Sequence, residues 1–442
     1  MKVGMIIEDK IKLTLDRIYD AALKAANPSD CVTKNLIVTD NFLNIGEKKY
    51  KLNNYRNIFI ISFGKAAYDM AKGAEKILKN KISKGIVVSN TRINEDIPRF
   101  RFLESTHPVP DKRSIDGARE IIKILNTSDE NDLIIFLVSG GGSSIIALPE
   151  EGLSLEDKKT TTEILLKSGA DINTINTIRK NISSIKGGGL LKYSYPSEVI
   201  TLIMSDVVGD HIDVIASGPT VPDKSDFDTA WKEIVRLGVS EKLPARVVAR
   251  LESISKKKFK KSDLSKNQTF VIGNNLKSLK SAEEKAKELG YDTQILNSQL
   301  EGETRFVARD LAKEIIKIKN FNLPINKPLC FIVGGETSVK VKGKGLGGRN
   351  SEFALSFAIG IRNESKISAL FAGTDGIDGP TRAAGAYCNG NTITEVEKIG
   401  VNGEDKLLDN DSYTFFHEAG NLKITGPSGT NVNDIGIILI DK

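Results

Sequence analysis

Lys65 follows Gly64 directly in "ISFGKAA", between an apolar run and a helical pattern. An ammonium there reaches phosphoryl oxygens while the free N–H groups of the helix start favour negative charge. As a plain surface lysine it would be mildly disfavoured by the same dipole. Asp206 and Asp210 stand four residues apart in "MSDVVGD", after another apolar run. Carboxylates so spaced can share a hydrated Mg²⁺, or one can accept the proton of a substrate hydroxyl; the plainer alternative is a helix cap and a turn residue. Arg349 sits with Asn350 where "KGKGLGGRN" enters the apolar "SEFALSFA", and its guanidinium could grip a carboxylate or phosphate bidentately. Glu336, after the glycine pair of "VGGETS", is a further metal or hydroxyl candidate, as is Asp375, which lies with Asp378 in "AGTDGIDGP". Cations, glycine backbone and acids for a metal are the kit of phosphoryl transfer.

The loop "VSGGGSS" adds the glycine backbone. Leu133 to Val138 is one unbroken apolar run, suited to a parallel strand covered on both faces. Gly140, Gly141 and Gly142 then let the chain approach a ligand closely, and Ser143 or Ser144 would cap a following helix. A nucleophile elbow needs G-x-S-x-G and fails at Ile145, so a phosphate cradle is the preferred reading over a plain turn. Gly343, Gly345 and Gly348 match G-x-G-x-x-G, but no buried strand precedes them, which argues against a dinucleotide fingerprint. Neither a Walker lysine loop nor the protein-kinase signatures occur. Three scattered cysteines and three histidines leave no zinc pattern. His107, before Pro108, reads first as a structural ring and only in reserve as an acid–base group.

The elements that must position these loops follow from the alternation of short apolar runs and helical patterns, the mark of an α/β architecture. Strands are predicted at "IFIISF", "GIVVS", "LIIFLVS" and "VITLIMS", then at "TFVIGN", "DTQIL", "LCFIVGG", "ALFAGT", "NLKIT" and "DIGIILI". Helices are predicted over "KAAYDMAKGAEKILKN", "SIDGAREIIKIL" and "LKSLKSAEEKAKELG". Over 442 residues this predicts two α/β domains, 1–262 and 267–442, with a cleft between them. Ligands in such sheets sit beyond the carboxyl ends of the strands, where the glycine loops fall. The lysine-rich "SKKKFKKSDLSK" marks the boundary and reads as a solvated linker; stacking aromatics are too few for nucleic-acid binding. The N-terminus reads as an amphipathic helix rather than a signal peptide, and no stretch approaches the roughly 20 apolar residues of a membrane span. Three cysteines, odd in number and far apart, predict free thiols in a reducing cytoplasm. The net charge of +6 is spread thinly over the chain.

Ten motifs in order, "GKAAYDMA", "STHPVPD", "VSGGGSS", "RKNISSIKGGGL", "MSDVVGD", "ASGPTVPD", "GGETSV", "GGRNSEFAL", "AGTDGIDGPTRAAGA" and "TGPSGTNVND", resemble the glycerate kinases with a C-terminal MOFRL domain, most closely the glycerate 2-kinases. The likeness runs from about Gly64 to Asp434. It implies an N-terminal Rossmann-like parallel-sheet domain, a smaller α/β MOFRL domain and an active site in the interdomain cleft. It implies ATP-dependent phosphorylation of D-glycerate to 2-phosphoglycerate with Mg²⁺ or another divalent cation. Lys65 matches the lysine of the family's G-K-A-A motif and Arg349 the arginine of G-G-R-N; the nucleotide is expected at Gly140, Gly141, Gly142, Ser143 and Ser144. On the chemistry of the residues, Asp206 is assigned as base, and Asp206, Asp210, Glu336 and Asp375 as metal candidates. Family members often read "GPTGTN" where this chain has "GPSGTN", which keeps the hydroxyl. A hydroxypyruvate reductase would need a nicotinamide site that the glycine pattern does not supply, and a non-catalytic sugar-phosphate regulator would have little use for so many acids. Nothing in the residues fixes whether the chain acts alone or as a homodimer.

Overall fold

The strand Asn57–Phe63 pairs in parallel with Lys84–Ser89 on one side and Asp132–Val138 on the other. Phe100–Glu104 and Glu198–Met204 extend the parallel sheet outward, and Asn267–Gly273 adds a sixth strand beside Glu198–Met204. The unbroken apolar runs explain this arrangement. Ile134, Phe136 and Val138 enter one core with Phe59, Ile61 and Phe63, while the alternate Leu133, Ile135 and Leu137 are buried as well. The predicted helices form over Ala67–Leu78 and Lys112–Leu125, the second opened by the Asp111 carboxylate, which accepts the Arg113 N–H at 2.8 Å. Four further helices, Leu155–Leu166, Ile172–Asn181, Phe227–Arg236 and Ala245–Ser255, share an apolar cluster that includes Leu165, Ile178, Ile234 and Leu251.

This computed structural model describes residues 7–90, 95–255, 267–321 and 327–441. The lysine-rich patch, bar its first residue, lies outside the described residues. The chain forms two compact units, one of Pro28–Ile272 and one of Met1–Asn27 with Gly273–Lys442. The division differs from the sequence-based 1–262 and 267–442 at both ends. The predicted strand "TFVIGN" does not open the second unit but hydrogen-bonds at the edge of the first unit's sheet. The N-terminal helix, Asp9–Ala25, buries Leu15, Ile18, Tyr19 and Ala22 in the second unit, against Leu279, Ala282 and Ile332.

That second unit carries a mixed sheet in the order Asp292–Leu300, Leu329–Gly335, Asp434–Ile440, Ile367–Gly373, Gly385–Asn389 and Leu422–Lys423. The first pair is parallel and the rest antiparallel. Side chains alternate along Leu329–Gly335: Phe331 and Val333 join one core with Phe353 and Phe357, and Cys330 and Ile332 join the other. The predicted "NLKIT" shrinks to Leu422–Lys423, and Gly385–Asn389 went unpredicted because "GAYCN" shows no apolar run. The antiparallel strands Ile37–Thr39, Phe42–Ile45 and Lys48–Lys51 of the first unit were likewise unpredicted, being only three or four residues long. All three cysteines are buried, and none is in a disulfide. Among the described residues no helix is long and apolar enough to cross a membrane.

Candidate active site

Three adjacent parallel strands of the first unit deliver their loops side by side: Asn57–Phe63 leads to Lys65, Asp132–Val138 to Gly140–Ser144, and Glu198–Met204 to Asp206. The loops are tied together through the backbone. Lys65 N–H donates to the Gly140 carbonyl at 2.9 Å, and Ala66 N–H to Ser139 Oγ at 3.0 Å. Gly140 is a close approach: a Cβ built there would lie 1.9 Å from Asp206 Oδ2, so the carboxylate packs on the bare α-carbon. Gly141 combines a left-handed backbone, φ 75°, with crowding by His107 Cδ2 at 2.9 Å and Lys65 Cε at 3.1 Å from the same hypothetical atom. Lys65, His107 and Asp206 therefore converge on two glycines.

Burial lifts the Asp206 carboxyl above the ordinary carboxylate range, against the pull of the Lys65 ammonium. Burial, and then Lys65, hold the His107 imidazole below its usual value, which keeps it neutral at neutral pH. A carboxylate with raised basicity beside a fixed ammonium can accept a hydroxyl proton while the cation faces developing negative charge. The predicted serine cap does not form. The single turn Gly142–Ile145 is capped by Gly141, and Ser144 Oγ donates to the Gly141 carbonyl at 3.1 Å. The Ser143 carbonyl accepts from buried Lys186 at 2.9 Å. Asp210 occupies the turn after Asp206 with a left-handed backbone, φ 55°.

The second unit gathers its own polar set at one end of the mixed sheet. Gly335, Asp434 and Gly373 lie in one row of the register, so Glu336 and Asp375 emerge near Asp434. Arg349 opens the helix Arg349–Gly360 and is clasped by this row. Its Nε donates to Asp434 Oδ2 at 2.5 Å, Nη2 to Oδ1 at 3.2 Å, and Nη1 to Glu336 Oε1 at 2.7 Å. Asn350 Nδ2 donates to Asp434 Oδ1 at 2.9 Å. Glu336 is the most exposed member, at 44 % against 15 % for Asp434, so it is the carboxylate most easily exchanged for another. Asp378, by contrast, is a buried helix acceptor that takes N–H groups of Asn350 and Ser351, both at 2.8 Å. Burial raises its carboxyl to about 6.

The four acids predicted as metal candidates are shared between the units, Asp206 and Asp210 in the first, Glu336 and Asp375 in the second. Among the described residues no group of three or more His, Cys, Asp or Glu side chains forms a metal cage. The segment holding Gly343, Gly345 and Gly348 follows no strand. Its backbone N–H groups are spent on Asp409, Asn410 and Asp411, so it offers no dinucleotide turn. Sequence reasoning missed Asp434 and Lys186 as site residues. Asp434 was legible as the acid that starts the apolar run "DIGIILI", but nothing in the spacing named Arg349 as its partner.

Residues 14–252 match a domain of unknown function (DUF4147), and residues 329–434 match the MOFRL family. The chain is 41 % identical to the D-glycerate 2-kinase of Thermotoga maritima, over 88 % of this chain and 91 % of that protein. This chain is a MOFRL-type glycerate kinase family member. It is 38 % identical to the glycerate 2-kinase of Pyrococcus horikoshii, over 96 % of both chains. A relative from Agrobacterium vitis with a provisional hydroxypyruvate reductase name is 36 % identical, over 96 % of this chain and 94 % of its own length. The crystal structure of the Thermotoga maritima glycerate kinase superposes with a TM-score of 0.87 at 38 % identity, covering 98 % of this chain and all of that one. The family expectation from the ten motifs is thereby met, and with it the parallel-sheet unit followed by a smaller mixed-sheet MOFRL unit. Lys65, Gly140–Ser144 and Asp206 fall in the DUF4147 match, and Glu336, Arg349, Asp375 and Asp434 in the MOFRL match.

Proposed function

We propose that this protein is an ATP-dependent kinase that phosphorylates D-glycerate at its 2-hydroxyl, giving 2-phosphoglycerate. The convergence of Lys65 and Asp206 on Gly140 and Gly141 carries this reading, and the two glycerate 2-kinase relatives support it. In this mechanism the donor's phosphates lie along Gly140–Ser144, where side-chain-free backbone permits close approach. Asp206 orients the attacking hydroxyl and takes its proton, which its raised basicity favours. Lys65 neutralises the charge that spreads over the transferring phosphoryl group. On the second unit, Arg349 offers Nη1 to a carboxylate that can replace Glu336, while Asp434 keeps the guanidinium plane fixed. His107, neutral beside Lys65, leaves the ammonium without a competing positive charge.

A divalent cation fits this residue set as a phosphate-borne ion. Mg²⁺ keeps several waters and needs only one or two carboxylates besides phosphate oxygens. Asp210 would hold it, leaving Asp206 as the base, and it would neutralise phosphate charge when bound. The test is to incubate the protein with D-glycerate, Mg²⁺ and ATP and identify the product by ³¹P NMR. 2-Phosphoglycerate is expected. 3-Phosphoglycerate would keep the kinase and overturn the substrate orientation; no phosphorylated product, with NADH consumed on hydroxypyruvate, would overturn the reading.

A further inference from the structure

Three buried or half-buried cations of the first unit have no ion-pair partner of their own among the described residues. Lys158 lies on the helix Leu155–Leu166, Arg179 in the last turn of Ile172–Asn181, and Lys186 just before Gly187. Lys158 Nζ is shielded from solvent and has no hydrogen-bond partner among the described residues. Arg179 Nη1 reaches the Asn176 amide oxygen at 3.4 Å. Lys186 Nζ donates only to neutral acceptors, the Ser143 carbonyl at 2.9 Å and Ser217 Oγ at 3.3 Å. Glu150, the acid that acts on Lys158, is already paired with Arg250 at 3.0 Å. Neighbouring Lys180, buried just as deeply as Lys186, is treated differently: Asp223 lies 3.3 Å and Asp213 3.5 Å from its ammonium. The fold pairs one of four cations and leaves the other three close enough to repel one another.

Buried like charges without a counterion are costly, and the cost is repaid when an anion completes the set. Burial, then repulsion from Arg179, lowers the Lys158 ammonium to about 7, and burial with repulsion from Lys158 drives Lys186 well down. Lys186, through the Ser143 carbonyl, joins this cluster to the glycine loop. A single carboxylate would neutralise one of three cations, whereas a nucleoside triphosphate brings a charge that matches them all. We propose that Lys158, Arg179 and Lys186 are the counter-charge for the phosphate chain of the nucleotide donor, continuing the cradle beyond Ser143. This inference rests on the kinase reading for the nature of its ligand.

The test titrates ATP, ADP, AMP and inorganic tripolyphosphate into full-length protein by calorimetry, alongside the D-glycerate assay. Wild type is expected to bind more tightly with each added phosphate. Lys158→Met and Lys186→Met are expected to weaken ATP and tripolyphosphate by roughly 10- to 100-fold each, the worth of one charge-assisted contact, and to leave AMP nearly unchanged. Lys186→Met loses two native hydrogen bonds and can unfold, so Lys158→Met, whose Nζ has no partner to lose, is the deciding variant. A wild type that makes 2-phosphoglycerate while Lys158→Met binds ATP within about twofold of it would overturn the inference and leave the kinase standing. A wild type that makes no phosphoglycerate, yet loses tripolyphosphate binding in Lys158→Met, would support the anion site and overturn the kinase.

Discussion

Arg349 and Lys158 are cations in partly buried surroundings, and the two units treat them in opposite ways. Arg349 is clasped by Asp434 and Glu336, so its orientation is set before any substrate arrives. Lys158 faces Arg179 and Lys186 with no acid of its own. The first arrangement preorganises a fork and asks an incoming carboxylate only to replace one exposed partner. The second holds charge in an unfavourable state that an incoming polyanion relieves. One unit stores geometry and the other stores electrostatic stress, and both are ways of preparing a site for an anion.

The largest effect separates the chemistry from both. Lys65→Ala and Arg349→Ala are each expected to lower kcat/KM for D-glycerate by about 10²–10³, as removal of one charge-stabilising group does. Near-wild-type activity in both would remove them from the site. Next, Asp434→Ala should destabilise the protein by about 2 kcal/mol, because it leaves a partly buried guanidinium with half its partners. Asp434→Asn, which keeps an acceptor, should cost less in a thermal melt. If the two melt alike, the carboxylate is not what fixes Arg349.

A smaller effect reads the other side of the comparison. Lys158, faced by Arg179, Lys186 and the Arg250-paired Glu150, titrates at about 7 without ligand, and a bound phosphate would restore its charge. ATP affinity then falls as pH rises above about 7, since binding must return a proton to Lys158, and buried Lys186 adds to the same uptake. Calorimetry between pH 6.5 and 8.5 should show a steeper fall in wild type than in Lys158→Met. The smallest effect is on stability. A lysine held below its ordinary value destabilises the fold while charged, and the penalty fades as pH rises from about 7 towards its unfolded value. Lys158→Met should therefore stabilise the ligand-free protein by about 0.5–2 kcal/mol at pH 6, as removal of a functional strain does. A variant that is both less stable and unimpaired in ATP binding would erase the contrast with Arg349.

The sheets were legible because their strands are unbroken apolar runs, and the loops because each run ends in glycine and acid. Lys65, Gly140 and Asp206 could be nominated from sequence for that reason, and their loops leave adjacent strands. What spacing does not carry is partnership across the chain. Arg349 and Asp434 are 85 residues apart and meet only through strand order. Lys158 lies on the helix Leu155–Leu166 and Lys186 just before a glycine-rich turn, and no spacing in the sequence joins them. The short strands Ile37–Thr39 and Gly385–Asn389 escaped because local pattern is weak where neighbours decide the pairing.

The helix Asp9–Ala25 carries one more consequence. It is made before Pro28–Ile272, yet the residues that cover its apolar side, Leu279, Ile332 and Leu439 among them, come only after the whole of that unit. For most of translation the nascent chain must keep Leu15, Ile18 and Tyr19 uncovered while an entire unit folds behind them. The first helix is thus a late-closing latch, and the ribosome finishes the last strand, Asp434–Ile440, before the latch can be fully seated.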